Sequence, residues 1–226
     1  MQRTPIIQAQ NLYYEIANQD NYIRILQGLN LTINTGEQVA IIGSSGSGKS
    51  TLLSLLAGLD VPTSGQVLVE MKAFSSLDED GRALVRAHNM SFVFQSFQLL
   101  PALTALENVM LPLQLTQHTD AKELSLQALD QVGLSQRVQH YPKQLSGGEQ
   151  QRVAIARAFA TKPRILFADE PTGNLDNATG KIITELLFKM NSDANTTLVL
   201  VTHDMQLATR CQHQLKLDNG VLTALV

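Results

Sequence analysis

The chain has 226 residues, enough for one domain with a real hydrophobic core, or one domain with subdomains. Its 17 Lys plus Arg against 20 Asp plus Glu give a formal charge of −3, which argues against the basic stripe of a general nucleic-acid binder. The single cysteine, Cys211, rules out an intrachain disulfide and reads as a buried small hydrophobe. The longest uncharged run, Ala87 to Leu106, holds His88, Asn89, Gln95, Gln98 and Pro101 and cannot span a bilayer. The opening MQRTPIIQAQ lacks the apolar core of a signal peptide. The expected place is the cytoplasm, with any membrane contact peripheral.

In chain order, Ile6–Gln8, Leu12–Ile16, Tyr22–Leu26 and Leu29–Ile33 read as short strands, closed by the turn Asn34-Thr35-Gly36. An apolar strand, Gln38–Ile42, leads into a Gly-rich loop. Lys49–Leu59 then has leucines at helical spacing and Gly58 near its stop. Pro62 to Gly65 is a turn, Gln66–Glu70 a strand, Asp78–Ala87 a charged helix and Met90–Phe94 a short strand. From Phe97 to about Lys143 the pattern is mostly helical, with proline stops at Pro101, Pro112 and Pro142. The strand Arg164–Ala168 ends at Asp169-Glu170. A helix over about Ala178–Asn191 and a β-branched run, Thr196–Thr202, follow. Asp218-Asn219-Gly220 between apolar runs is a hairpin signal.

Three apolar strands thus end at Gly43, Asp169 and His203. Runs so continuously apolar are typical of strands covered on both faces in a parallel sheet. Ligands of open α/β sheets bind beyond the carboxyl ends of such strands, so the polar residues at these ends are expected to converge.

Gly43-Ser44-Ser45-Gly46-Ser47-Gly48-Lys49-Ser50 fits G-x-x-x-x-G-K-[ST] between a strand and a helix. Glycines let backbone N–H groups close round phosphates, Lys49 supplies charge to the β and γ phosphates, and the Ser50 hydroxyl suits Mg²⁺. With Thr51, these residues are the expected nucleotide site. Ser146 to Glu149 fits the capping box S-x-x-E at the start of a helix over Gln150–Ala160. Two glycines there, Gly147 and Gly148, disfavour a helix start unless a backbone must approach something closely; a phosphate is the obvious candidate.

The P-loop together with Leu145-Ser146-Gly147-Gly148-Glu149-Gln150 resembles the ATP-binding cassette (ABC) ATPases over essentially the whole chain. The implied fold is α/β: a P-loop NTPase (RecA-like) core with an N-terminal antiparallel β subdomain and an inserted α-helical subdomain at about 97–155, all in one domain, 1–226. RILFADEP resembles the family's Walker B motif, which implies Asp169 as a Mg²⁺ ligand through water and Glu170 as general base for the attacking water. By the same resemblance, Gln95 is the Q-loop glutamine near Mg²⁺ and that water. His203 is the switch histidine at the γ-phosphate, and Asn174-Leu175-Asp176 is the D-loop. The aromatic residue that usually stacks on adenine is replaced by Ile16, so the resemblance leaves the adenine partner unassigned.

FVFQSFQLLPALTALENVMLPL, SGGEQQRVAIARAFATKP and FADEPTGNLD are similar to the lipoprotein-releasing, macrolide-efflux and cell-division group (LolD, MacB, FtsE). Within it the chain looks most like a stand-alone YbbA-type ATPase. The resemblance implies ATP and Mg²⁺ as ligands, and a second copy of the chain whose signature motif completes each site. It also implies an integral membrane permease as partner, no nucleic acid, and a place on the cytoplasmic face of the inner membrane. Phe97, Leu99, Leu100 and Leu103 are either core of the helical subdomain or part of a groove for that permease. A soluble regulatory cassette without a permease is the alternative. A P-loop kinase or GTPase would leave the signature unexplained.

Overall fold

Alternating apolar residues build the first sheet from two long strands, not the four short ones the sequence suggests. The computed structural model describes residues 4–18 and 21–225. Its strands are β1 (Pro5–Asn18), β2 (Asn21–Asn34), β3 (Gln38–Ile42), β4 (Ser64–Val69), β5 (Lys72–Ala73), β6 (Met90–Phe94), β7 (Ile165–Asp169), β8 (Thr197–Thr202), β9 (His213–Asp218) and β10 (Val221–Ala224). Its helices are α1 (Lys49–Leu56), α2 (Glu79–Asn89), α3 (Ala105–Leu115), α4 (Ala121–Gln131), α5 (Gly147–Ala160), α6 (Asn177–Ala194) and α7 (Met205–Ala208). The chain divides into two compact units: residues to Arg86 together with those from Thr197, and Ala87–Thr196.

In the first unit, β1 and β2 pair antiparallel from Ile7↔Ile33 through Leu12↔Leu29 to Ile16↔Ile23. The register slips on both sides of Leu12, and Asn11 and Gly28 take left-handed φ of 53° and 68°. Such bulges absorb the turn-prone residues without ending the ladder. The Asn30 amide bridges the irregularity, accepting from Asn11 N at 2.9 Å and donating to Gly28 O at 3.0 Å. β4 and β5 complete the order β2-β1-β4-β5. Ser64, expected in a turn, already pairs with Tyr13.

The same unit places β3 between β8 and β9, all parallel, with β10 antiparallel to β9. β8 is buried at every residue and β3 at every residue after Gln38, as expected for strands covered on both faces. Asn219 and Gly220 have φ of 47° and 77° and connect paired Asp218 and Val221, the tight hairpin the sequence signals. Cys211 is buried, and burial pushes its thiol up to about 12. At neutral pH it is an inert thiol and not a nucleophile.

The second unit pairs β6 and β7 in parallel, from Met90↔Ile165 to Phe94↔Asp169. The ring of Phe92 stacks on Phe167 at 5.5 Å between centroids. Helices α3, α4 and α5 pack on one another. Two expectations change here. Residues 97–104 are irregular, not helical, because Phe97 and Gln98 hold left-handed φ of 59° and 47°. Pro112 lies inside α3 and does not stop it. That helix is nucleated firmly: Thr104 and Glu107 form a reciprocal capping box. The fully buried Asn108 amide also donates to the carbonyls of Leu100, Leu103 and Thr104. These contacts outlast the single backbone bond that proline removes.

Candidate active site

The first unit contributes the P-loop and His203. Gly48 has φ 97° and Gly46 φ 79°, a region open to glycine at no steric cost. A Cβ on Gly43 would sit 2.5 Å from Leu217 O and from Ser47 Oγ, so that position cannot carry a side chain unless something moves. Lys49 is 7% exposed, and its Nζ donates to Gly43 O at 2.9 Å and Ser44 O at 2.8 Å, which fastens the ammonium inside the loop. Helix α1 follows an N-cap glycine, Gly48, and like α4 has no side-chain cap, whereas α3, α5, α6 and α7 all have one. The first N–H groups of any helix lack intrahelical acceptors. The buried Ser47 Oγ also has no hydrogen-bond partner among the described residues. An uncapped helix start, an orphan hydroxyl and a fixed cation fit a phosphate chain.

Ile42 and Thr202 are register partners, so Gly43 and His203 leave the sheet on adjacent strands. Thr202 Oγ1 accepts from Asp204 N at 2.9 Å, and Asp204 caps α7 through Gln206 N and Leu207 N. The exposed His203 therefore stands between two anchored neighbours. A cavity of about 480 Å³ in this unit is a separate feature. Glu37, Val39 and His213 line it at the amino-terminal ends of β3 and β9, away from the P-loop. Its buried carboxylate, Glu37, already accepts from Asn34 N and Nδ2.

The second unit brings together Gln95, Asp169, Glu170, the D-loop and the signature. Phe94 pairs with Asp169, so Gln95 and Glu170 each lie one residue past the end of adjacent parallel strands. Glu170 has φ 45°, a strained conformation for a non-glycine residue, and its carbonyl accepts from Gly173 N at 3.0 Å. Asn174 holds Gln95 by side chain and backbone: Gln95 Nε2 donates to Asn174 Oδ1 at 3.0 Å, and Asn174 Nδ2 donates to the Gln95 main-chain carbonyl at 3.1 Å. Sequence reading placed Asn174 in the D-loop but gave no signal for this pairing. Asp176 caps α6 through Ala178 N and Thr179 N. The hydrogen bonds from Thr179 hold its carboxyl below the usual carboxylate range.

Ser146 caps α5 in the expected capping box. Its Oγ accepts from Glu149 N at 3.3 Å, and the Glu149 carboxylate accepts from Ser146 N at 2.8 Å. These bonds from Ser146 hold Glu149 below its ordinary pKa, with Arg137 adding a weaker ion pair at 3.2 Å. The two signature glycines divide. A Cβ on Gly148 would lie 2.5 Å from Thr179 Cγ2 of α6, so close helix packing alone requires glycine there. A Cβ on Gly147 would meet Leu175 at 3.5 Å and Phe97 at 3.7 Å, ordinary contacts. Helix packing thus accounts for Gly148 and leaves Gly147 without a steric reason to be glycine. Gly148→Ala is expected to lose about 1–2 kcal/mol by overpacking, roughly 2–8 °C in melting temperature. Gly147→Ala should melt at or slightly above wild type yet turn over ATP about tenfold more slowly or worse. Thermal melts alongside turnover separate the two.

Tyr14, which stands in phase with Ile16, donates its hydroxyl to the Asp60 carboxylate, and that bond raises its pKa. Tyr13 packs against Gly28. Ile16 is 48% exposed.

Residues 26–173 match the family model described as ABC transporter. The chain belongs to the ABC transporter ATP-binding family. It is 50% identical over 219 residues, 96% of each chain, to the uncharacterized ABC transporter ATP-binding protein YbbA of Escherichia coli (strain K12). It is 49% identical over 217 residues to the lipoprotein-releasing system ATP-binding protein LolD of Hydrogenovibrio crunogenus, covering 95% of this chain and 94% of that one. The dimeric structure of the ATP-binding cassette MJ0796 in a post-hydrolysis state, bound to ADP and Pi, superposes with a TM-score of 0.89 at 40% identity, covering 98% of this chain and 99% of that one. The α/β P-loop cassette fold with its antiparallel β-sheet is thereby established, as is nucleotide binding with ATP hydrolysis as the family's chemistry. Among the described residues, no helix is long and apolar enough to cross a membrane.

Proposed function

We propose that this cassette is the ATP-hydrolysing subunit of an ABC transporter or mechanotransmission complex, in which ATP-driven pairing of two copies moves a separate membrane permease. The observation that carries this reading is the P-loop helix start, left uncapped around Lys49 and the orphan Ser47 hydroxyl, in a chain about half identical to named ABC ATP-binding subunits. The structural relative with a TM-score of 0.89 is a dimer, which supports the pairing.

In this mechanism, backbone N–H groups from Gly43 through Thr51, with Ser44, Ser45 and Ser47, close on the phosphates, and Lys49 neutralises the β and γ groups. Ser50, Gln95 and Asp169 would hold Mg²⁺. Their hydroxyl, amide and carboxylate oxygens are the hard donors that this ion takes. When bound, Mg²⁺ would draw charge from the phosphate oxygens during transfer. Glu170 accepts a proton from the attacking water, and His203 steadies the γ-phosphate and the Glu170 geometry. Ser146, Gly147, Gly148 and Glu149 serve the nucleotide of the other copy, a two-fold arrangement with self-complementary faces. The single cassette, 1–226, keeps a helical subdomain at about 97–155 that faces the permease, and the chain sits peripherally on the inner membrane's cytoplasmic face. Nucleic acid is not a partner.

Purified from detergent-solubilised membranes of its host, the cassette should carry an integral membrane protein whose presence changes ATP turnover. Recovery without any membrane protein, and with nucleic acid retained, would favour a soluble regulatory cassette.

A further inference from the structure

Helix α5 grips the Gln95 turn from both sides. Before Gln95, the fully buried Gln151 donates through Nε2 to Phe94 O at 3.4 Å and to Pro171 O, next to Glu170, at 2.5 Å. Its Oε1 is buried with no hydrogen-bond partner among the described residues. After Gln95, the Arg157 guanidinium donates to Gln98 O at 2.6 Å and Phe97 O at 3.0 Å. These carbonyls belong to the two consecutive left-handed residues of the turn. Burial lowers the Arg157 pKa, and among the described residues no carboxylate pairs with it. A half-buried cation supported mainly by two carbonyls is costly for the fold. Its planar fork suits two adjacent acceptors, where a point charge would not. The contact continues at the helix start, where Phe97 lies against Gly147 of the signature.

We propose that Gln151 and Arg157 are positioning residues for Gln95: together they fasten both flanks of its turn to α5, so that the turn and the signature end of the helix answer bound phosphate as one body. The inference rests on the roles proposed above for Gln95 and for Ser146–Glu149. It adds the mechanical link between them, with Asn174 orienting the amide at the centre of the clamp.

A double-mutant cycle with hydrogen exchange tests it. Arg157→Gln should lower kcat on the order of 10–100-fold with KM for ATP within about twofold. Arg157→Lys, which keeps the charge and loses the fork, should fall between. In a Gln95→Ala background, Arg157→Gln should add less than about twofold, because both act through one group. Amide exchange at Phe97 and Gln98 in the nucleotide-free protein should speed up in Arg157→Gln and not in Gln95→Ala. Losses that multiply in the double variant, or unchanged exchange at Phe97 and Gln98, would overturn the proposal. Normal turnover in Gln95→Ala would remove the role of Gln95 itself and the clamp's purpose with it. That failure is recognised because exchange at Phe97 and Gln98 still responds to Arg157. If Arg157→Gln does not fold, Gln151→Met, of similar volume without the donor, goes through the same cycle.

Discussion

Glu170→Gln is expected to lower ATP turnover by about 10²–10⁴-fold and to trap a dimer that keeps its ATP. The substitution exchanges one carboxylate oxygen for an amide of the same shape. The turn that carries the residue is held by its backbone, through Gly173 N on Glu170 O and the left-handed φ of 45°, and glutamine keeps both. What the substitution removes from the reaction is the capacity to take a proton from water. Phosphate binding depends on the P-loop, so the variant should still bind ATP and pair. Single-turnover kinetics with gel filtration in ATP check both halves. Ordinary turnover in Glu170→Gln would falsify the general-base assignment.

Lys49→Ala is expected to abolish measurable turnover, and mixing restores part of it. The Lys49 ammonium is held by Gly43 O and Ser44 O, so it reaches a phosphate already placed, and each charge-assisted bond lost there is worth roughly 1.5–3 kcal/mol. The informative experiment mixes Lys49→Ala with the Gly147→Ala protein, whose fold should be intact. If each chamber joins one copy's P-loop to the other's signature, a mixed dimer has one sound chamber and one doubly damaged. Random pairing of equal amounts then yields about one quarter of wild-type turnover per cassette from the mixed dimers. Activity that only averages the two parents at every ratio would exclude shared chambers.

Much of this was legible from local pattern. The P-loop, the capping box at Ser146 and Glu149, and the hairpin at Asn219-Gly220 are short-range devices whose geometry follows from a few neighbouring residues, and each stands where expected. Strand ends at Ile42 and Thr202, and at Phe94 and Asp169, pair in register, because runs of apolar residues with no polar face leave few ways to be buried. Errors occurred where a local signal was answered by a distant contact. Turn-prone Asn11 and Gly28 became bulges because a partner strand was there to bridge them. Pro112 sits within a helix already secured by Thr104, Glu107 and Asn108.

The sequence by itself determined the chemistry available to this chain: which residues bear charge, which loops turn on glycine, and which strands end in polar groups. Tertiary structure alone decided how those groups are held. Gln95 and Asn174 lie 79 positions apart, and Arg157 lies 59 from Gln98. No periodicity or propensity acts over such separations, and only packing of α5 beside β6 and α6 turns those side chains into an oriented amide, a clamp and a glycine without room for a methyl group.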